Sequence, residues 1–337
     1  MKSKIIKIFL IFCASVLAIL IFYLLNKDEK LFSLNKERIF KKEIKLEKSI
    51  PLDKKLSLMK YRDNRLYFVS WTDGNQGKLF SLNLRDNQFD EEIDLNSSLE
   101  SIIINNYFIE SGRICFINKA NRAISNYDLT LKTVKSLIYR KDFSRISKRS
   151  DNLIVSGWDK DYKIYFEKFN MSTKESSEIK IDDDYLNDYE NTGITLDGVY
   201  YENDNYTVML PYSVNRAYVF DQESNFSNKI DLIYNKTAFN FRYSKDKKDL
   251  MVDPNNLNPN LSGCLDQSNH FYALTDQSTK WDNRDKCYID IYDVQKNEYI
   301  SSIKIGDYNN SKPRSILINQ NKLYVLFEEN LNIYIIK

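Results

Sequence analysis

The chain is poor in the residues that most sharply mark chemistry. Its 337 residues include a single histidine, His270. One imidazole builds no His-rich metal site, and no metal ligand set is expected. His270 opens the run Ser-Asn-His-Phe-Tyr and reads as an ordinary strand-end residue. A Ser-His-Asp triad would still need its nucleophile on a strained turn, and no Gly-x-Ser-x-Gly run is present. Ser57-Leu-Met-Lys60 matches Ser-x-x-Lys by letters alone, since that pattern needs a helix start and this stretch reads as a strand. Four cysteines, Cys13, Cys115, Cys264 and Cys287, form no Cys-x-x-Cys pair, which excludes zinc-binding and thioredoxin-like signatures. The 8 glycines form no phosphate-cradling loop, so no cofactor is implied. With only 5 prolines as well, Asn, Asp, Ser and Lys must make most turns. An excess of one charge is also missing. The 49 basic and 47 acidic residues leave a net charge of +2, which excludes nucleic acid as the main partner.

Large apolar groups are plentiful. The chain is 42% hydrophobic, with 24 Tyr and 19 Phe. That is too apolar for a disordered chain, and the aromatic content favours strands. The length allows two or three average domains or one large all-β domain.

Residues 1–7 carry Lys2, Lys4 and Lys7, and residues 8–25 are apolar apart from Ser15 and the mild Cys13 and Tyr23. A helix of that length reaches about 27 Å, enough to cross a bilayer core. No small-residue cleavage site follows, and Phe12 before Cys13 does not suit a lipoprotein signal. Residues 1–25 therefore read as an uncleaved, single-pass signal anchor, with the basic N-terminus cytoplasmic and the rest extracytoplasmic. Residues 26–37 read as a charged linker and 38–337 as one folded domain. The Lys- and Asn-rich composition looks bacterial.

That domain is repetitive. Residues 54–95 hold four short apolar runs separated by polar turns, as in a four-stranded antiparallel meander. Second strands recur at Leu66, Ile114, Leu153, Thr207, Phe271 and Leu323. Third strands follow near Lys78, Arg122, Lys163, Arg216, Cys287 and Asn332, several with a weaker fourth strand such as 176–181 or 228–232. The unit of roughly 40–60 residues suits a propeller blade. The last repeat stops after its third strand, and the lone alternating run 38–46 supplies a fourth. Pairing the two ends of the domain closes a ring and removes an open sheet edge. Seven blades with one missed, or a two-sheet sandwich, are the competing architectures, though a sandwich does not naturally produce six similar units. Cys264 and Cys287 are the only tempting disulfide. They fall on the first and third strands of one blade, roughly 9–10 Å apart, so buried free thiols are expected instead.

The pattern resembles the six-bladed β-propellers of the TolB-like and NHL-like broad class, over residues 38–337. The resemblance is architectural: there is no WD blade ending, kelch double glycine or NHL-type glycine signature. It implies an all-β fold of four-stranded antiparallel blades and carries no functional residue.

All three tryptophans fall between a second and a third strand. Trp71 is followed by Asp73, Trp158 by Asp159 and Asp161, and Trp281 by Asp282 and Asp285. In a propeller those turns share a face with the connections between blades. An aromatic and acidic face suits a peptide with basic residues, a glycan or a partner protein. The alternative is that each Trp packs over its own blade while the Asp residues shape turns. The acidic run around Asp182, Asp183 and Asp184 lacks the spacing of a calcium loop and reads as a solvated acidic loop. The sequence thus points to a membrane-anchored binding module. The alternative is a cell-envelope lyase or hydrolase using carboxylates and tyrosines in the central channel.

Overall fold

The computed structural model describes residues 15–17, 33–34, 36–70, 77–95, 104–110, 112–118, 123–139, 143–188, 192–235, 241–243, 250–252, 259–276 and 287–337. Within them the chain forms six four-stranded antiparallel sheets. Blade 1 holds Leu56–Arg62, Arg65–Ser70, Lys78–Asn83 and Gln88–Asp94. Blade 2 holds Ile104–Glu110, Arg113–Asn118, Ala123–Asp128 and Val134–Ile138. Blade 3 holds Arg145–Arg149, Asn152–Trp158, Ile164–Asn170 and the short, exposed Ser176–Glu178. Blade 4 holds Gly198–Glu202, Thr207–Pro211, Arg216–Phe220 and Phe226–Asp231. Blade 5 holds Asn260–Leu265, His270–Asp276, Cys287–Asp293 and Glu298–Ile305. Blade 6 holds Ser315–Asn319, Lys322–Leu326 and Asn330–Ile336, with Ile44–Pro51 as its fourth strand.

The core lies between blades rather than within them. There are six apolar clusters, one at each junction of neighbouring blades. The junction of blades 6 and 1 packs Tyr324, Leu326, Leu331 and Ile333 against Leu56, Leu66, Phe68 and Phe80, so the ring is closed. Each blade buries both faces this way, and its middle strands lose apolar–polar alternation. Thr207–Pro211 and Arg216–Phe220 are buried at every position. Strands covered on both sides read as continuous apolar runs.

The scarcity of glycine is met as the composition predicts. Among the described residues 14 non-glycine residues have positive φ, and 6 of them are Asn. They recur at equivalent turns. Asn64, Ser150, Asn269 and Gln320 sit between first and second strands, while Asn87, Lys132, Lys174, Ser224 and Asn297 sit between third and fourth. Asn tolerates the left-handed region better than most residues because its short side chain bonds locally. The third strands also end in a repeated device. The side chains of Asn83, Asp128, Asn170, Asp221 and Asp293 each accept from backbone N–H groups two to four residues on.

The closing strand lies six residues later than the sequence pattern places it. The run 38–46 is not one strand. Arg38, Ile39 and Phe40 dock on blade 5, where the Arg38 guanidinium donates twice to Asp290 at 2.9 Å. The Ser302 N–H donates to the Ile39 carbonyl at 2.7 Å, and Phe40 packs on Tyr288. Only from Ile44 does the chain join blade 6. In the acidic run Asp182 and Asp184 are exposed as expected, but Asp183 is not. Asp183 is buried, accepting from Arg216, Lys229 and the Tyr218 hydroxyl. Burial alone would push its pKa up, but these donors hold it below the ordinary carboxylate range. Cys115, Cys264 and Cys287 are buried free thiols, and burial pushes Cys115 up to about 12. Among the described residues no helix is long and apolar enough to cross a membrane. The expected span 8–25 lies outside them, except for Ser15, Val16 and Leu17, which are helical.

Candidate functional site: the central channel

Every blade uses its first strand as the innermost one, and each of these has a paired neighbour on one side only. The six first strands therefore turn an unpaired edge toward the ring axis, around a channel of about 1350 Å³. Along such an edge the free backbone groups alternate between donors and acceptors. Three of these strands carry bulges: Ser57 to Lys60, Ile104 to Asn106, and Asn260 to Ser262. At the first, Leu58 has a φ of 50° and its carbonyl accepts from the Tyr107 hydroxyl at 2.6 Å. Bulges re-aim side chains at the rims of sheets and beside sites. This one separates Ser57 from Lys60: Ser57 donates to the Val69 carbonyl, while Lys60 crosses the ring.

Lys60 of blade 1 pairs with Glu202 of blade 4, on the opposite side of the ring, and its ammonium also lies 4.7 Å from the centre of the Phe108 ring. This bar spans the channel. Glu202 Oε1 holds the lysine, whereas Oε2 is buried with no hydrogen-bond partner. Lys148 of blade 3 pairs with Glu110 of blade 2. Arg149 donates to the carbonyls of Asn203 at 2.9 Å and Asp204 at 2.6 Å, and burial lowers its pKa. At the mouth where the first strands begin, Arg145 donates at 3.0 Å to both oxygens of Asp197 and lies 5.8 Å from the Tyr212 ring centre. Glu328 there is shared by Lys55 at 2.9 Å and Arg314 at 3.1 Å. The tyrosines Tyr200, Tyr201 and Tyr212 beside the channel all have pKa values raised by burial.

The channel lining has seven basic and five acidic residues, and Asp197 and Glu328 bring the acidic count to seven. The site is dense in charge but carries almost no net charge. Its members leave a faint trace in the sequence: first strands of four successive blades finish on Arg62, Glu110, Arg149 and Glu202. Taking second and third strands as the repeat signal passes over it.

Of the residues expected on the loop face, Trp71, Asp73, Trp281, Asp282 and Asp285 lie outside the described residues. Trp158, Asp159 and Asp161 are described. The Trp158 side chain is 39% exposed, at the end of its strand. Its Cβ packs against Gly193 so closely that a methyl group at position 193 would collide with it. Asp159 accepts from the N–H groups of Asp161 and Lys163 at 2.9 Å and shapes the turn. The blade-packing role thus accounts for Asp159, while Trp158 both packs and remains partly open. His270 sits beside Asp266, its Nδ1 3.3 Å from a carboxylate oxygen that also accepts from the Tyr272 hydroxyl at 2.9 Å.

No family model and no curated protein matches the chain. Solved structures do. A member of the DUF4221 family from Bacteroides vulgatus aligns at TM-score 0.57 with 12% identity, over 90% of this chain and 99% of that one. A luciferin-regenerating enzyme aligns at TM-score 0.53 with 10% identity, over 88% and 95%. These likenesses agree with the six-bladed β-propeller seen here, and at such identities they show the fold alone.

Proposed function

We propose that the chain is a membrane-anchored, extracytoplasmic binding module whose ligand enters the central channel, with the loop face around Trp158 forming the rim. The observation that carries this reading is the channel itself, a large open cavity across which several charged side chains are fixed in pairs. Fixed pairs orient a ligand without needing to react with it. A catalytic channel, the second reading, needs a carboxylate without a fixed counter-ion. Glu110 and Glu202, the carboxylates on the first strands, are each held by a lysine, which speaks for binding over lyase or hydrolase chemistry at those two; Asp204 and Glu223 are where the second reading would place its acid or base. The anchor rests on the apolar residues 8–25 and the lysines before them. A peptide, glycan or protein at the membrane surface is the expected partner class.

The test is a pull-down from detergent-solubilised membranes with three forms of the full chain: native, a Lys60→Met/Glu202→Met channel variant, and a Trp71/Trp158/Trp281 triple alanine variant. Far-UV circular dichroism and melting curves check that each folds. A partner kept by the native chain and lost by the channel variant supports the channel. Loss with the tryptophan variant alone moves the site to the loop face, and retention by all three overturns both.

A further inference from the structure

We infer that the ligand of the channel is a neutral, polyhydroxylated molecule, a saccharide of several rings. The inference rests on the channel-binding reading and names its ligand class. Much of the charge in this cavity is already matched: Lys60 by Glu202, Lys148 by Glu110, Arg145 by Asp197, and Lys55 with Arg314 by Glu328. Arg149 lies close enough to Glu202, Asp204 and Glu223 for their charges to act on it, so the remaining charges of the lining also offset one another. A ligand of either charge would compete with these pairs and upset a balanced lining.

What the channel offers instead is abundant hydrogen bonding of both signs. Six unpaired strand edges present N–H and C=O groups in alternation, and the side-chain amides of Gln267 and Asn319 line the same cavity. A sugar hydroxyl donates and accepts at once, so it matches such a surface without bringing charge. The orphaned Glu202 Oε2 wants a donor, and a hydroxyl wedged beside Lys60 supplies one while leaving the ion pair's charge balanced. Tyr61 and Tyr212 give flat aromatic surface along the wall for the C–H faces of sugar rings. At about 1350 Å³ the cavity exceeds the roughly 300–1,000 Å³ usual for a single small ligand, which leaves room for more than one ring.

The test uses the full chain in lipid nanodiscs, because sugar-headed detergents would compete. Maltotetraose, cellotetraose and chitotetraose are titrated by calorimetry and saturation-transfer NMR, with tetragalacturonate and tetralysine as charged comparators. Binding of at least one neutral tetrasaccharide is expected, weakened at least tenfold by Glu202→Gln. A variant at an exposed wall residue, Tyr61→Leu, guards against loss by misfolding and should also weaken binding. Preference for tetragalacturonate or tetralysine overturns the neutral class while leaving channel binding intact. Silence from all five probes overturns the saccharide assignment. If the membrane pull-down is also unaffected by the channel variant, the channel reading falls with it.

Discussion

Asp290 is fully shielded from water, and Arg38 is the cation that makes this tolerable. The guanidinium, itself 6% exposed, meets both carboxylate oxygens and stacks 4.0 Å above the Tyr288 ring centre. Removing one member of a buried ion pair leaves the other uncompensated, a loss of about 3–5 kcal/mol. Arg38→Ala is therefore expected to destabilise the propeller by about that much, read from the midpoint of denaturant unfolding. A change within experimental error would mean that Asp290 finds another partner. Asp183 makes a second prediction, this one about pH. Its folded pKa is depressed against an unfolded value of about 3.9. The group therefore adds stability above that value, and the contribution is lost as pH falls through the folded pKa. Asp183→Asn should be less stable than the native chain at pH 7, and the gap should narrow below about pH 4 as the native carboxyl becomes protonated. A gap independent of pH would show that packing, not charge, makes Asp183 matter.

At the level of strands, what the sequence revealed follows what each strand touches. Second and third strands were legible because neighbouring blades cover both faces, and the resulting apolar runs repeat at Leu66, Ile114, Leu153 and Phe271. First strands were harder to read because their inner edge faces the channel, where bulges and charges such as Lys60 and Glu202 break the pattern. The closing strand was found but misplaced. Its period-2 pattern is interrupted by a bulge between Leu46 and Lys48, while Arg38, Ile39 and Phe40 mimic a strand because they dock on blade 5. Of the site, the loop-face turn at Asp159 was legible as Trp-Asp, but the ion pair across the channel joins residues 142 positions apart and leaves no local signal. The closing strand also makes its own prediction. Deleting residues 1–51 should leave the third strand of blade 6 with an open edge. Size-exclusion chromatography should then show dimers or aggregates, because an exposed edge templates pairing with another chain. A stable monomer would show that blade 6 does not depend on the N-terminal strand.

Across the whole molecule, the N-terminal region has separable duties, and truncation tells them apart. Residues 8–25 carry the apolar run proposed as the anchor, residues 38–40 clip onto blade 5, and Ile44–Pro51 closes the ring. A chain lacking residues 1–32 keeps both the clip and the closing strand. It should leave the membrane fraction while its melting temperature moves by no more than about 2 °C, since nothing in the ring contacts has changed. A chain lacking residues 1–40 should be equally free of membranes but should melt on the order of 10 °C lower, because Asp290 loses Arg38. The pairing of Ser33–Leu34 with Tyr234–Asn235 stays in the first truncation and goes in the second, so Arg38→Ala in the longer chain isolates the ion pair from that small sheet. If the first truncation remains with membranes after an alkaline wash, residues 1–32 are not the anchor. If both truncations melt together, the clip contributes nothing to the ring, and its role would be confined to positioning the linker at the junction of blades 4 and 5.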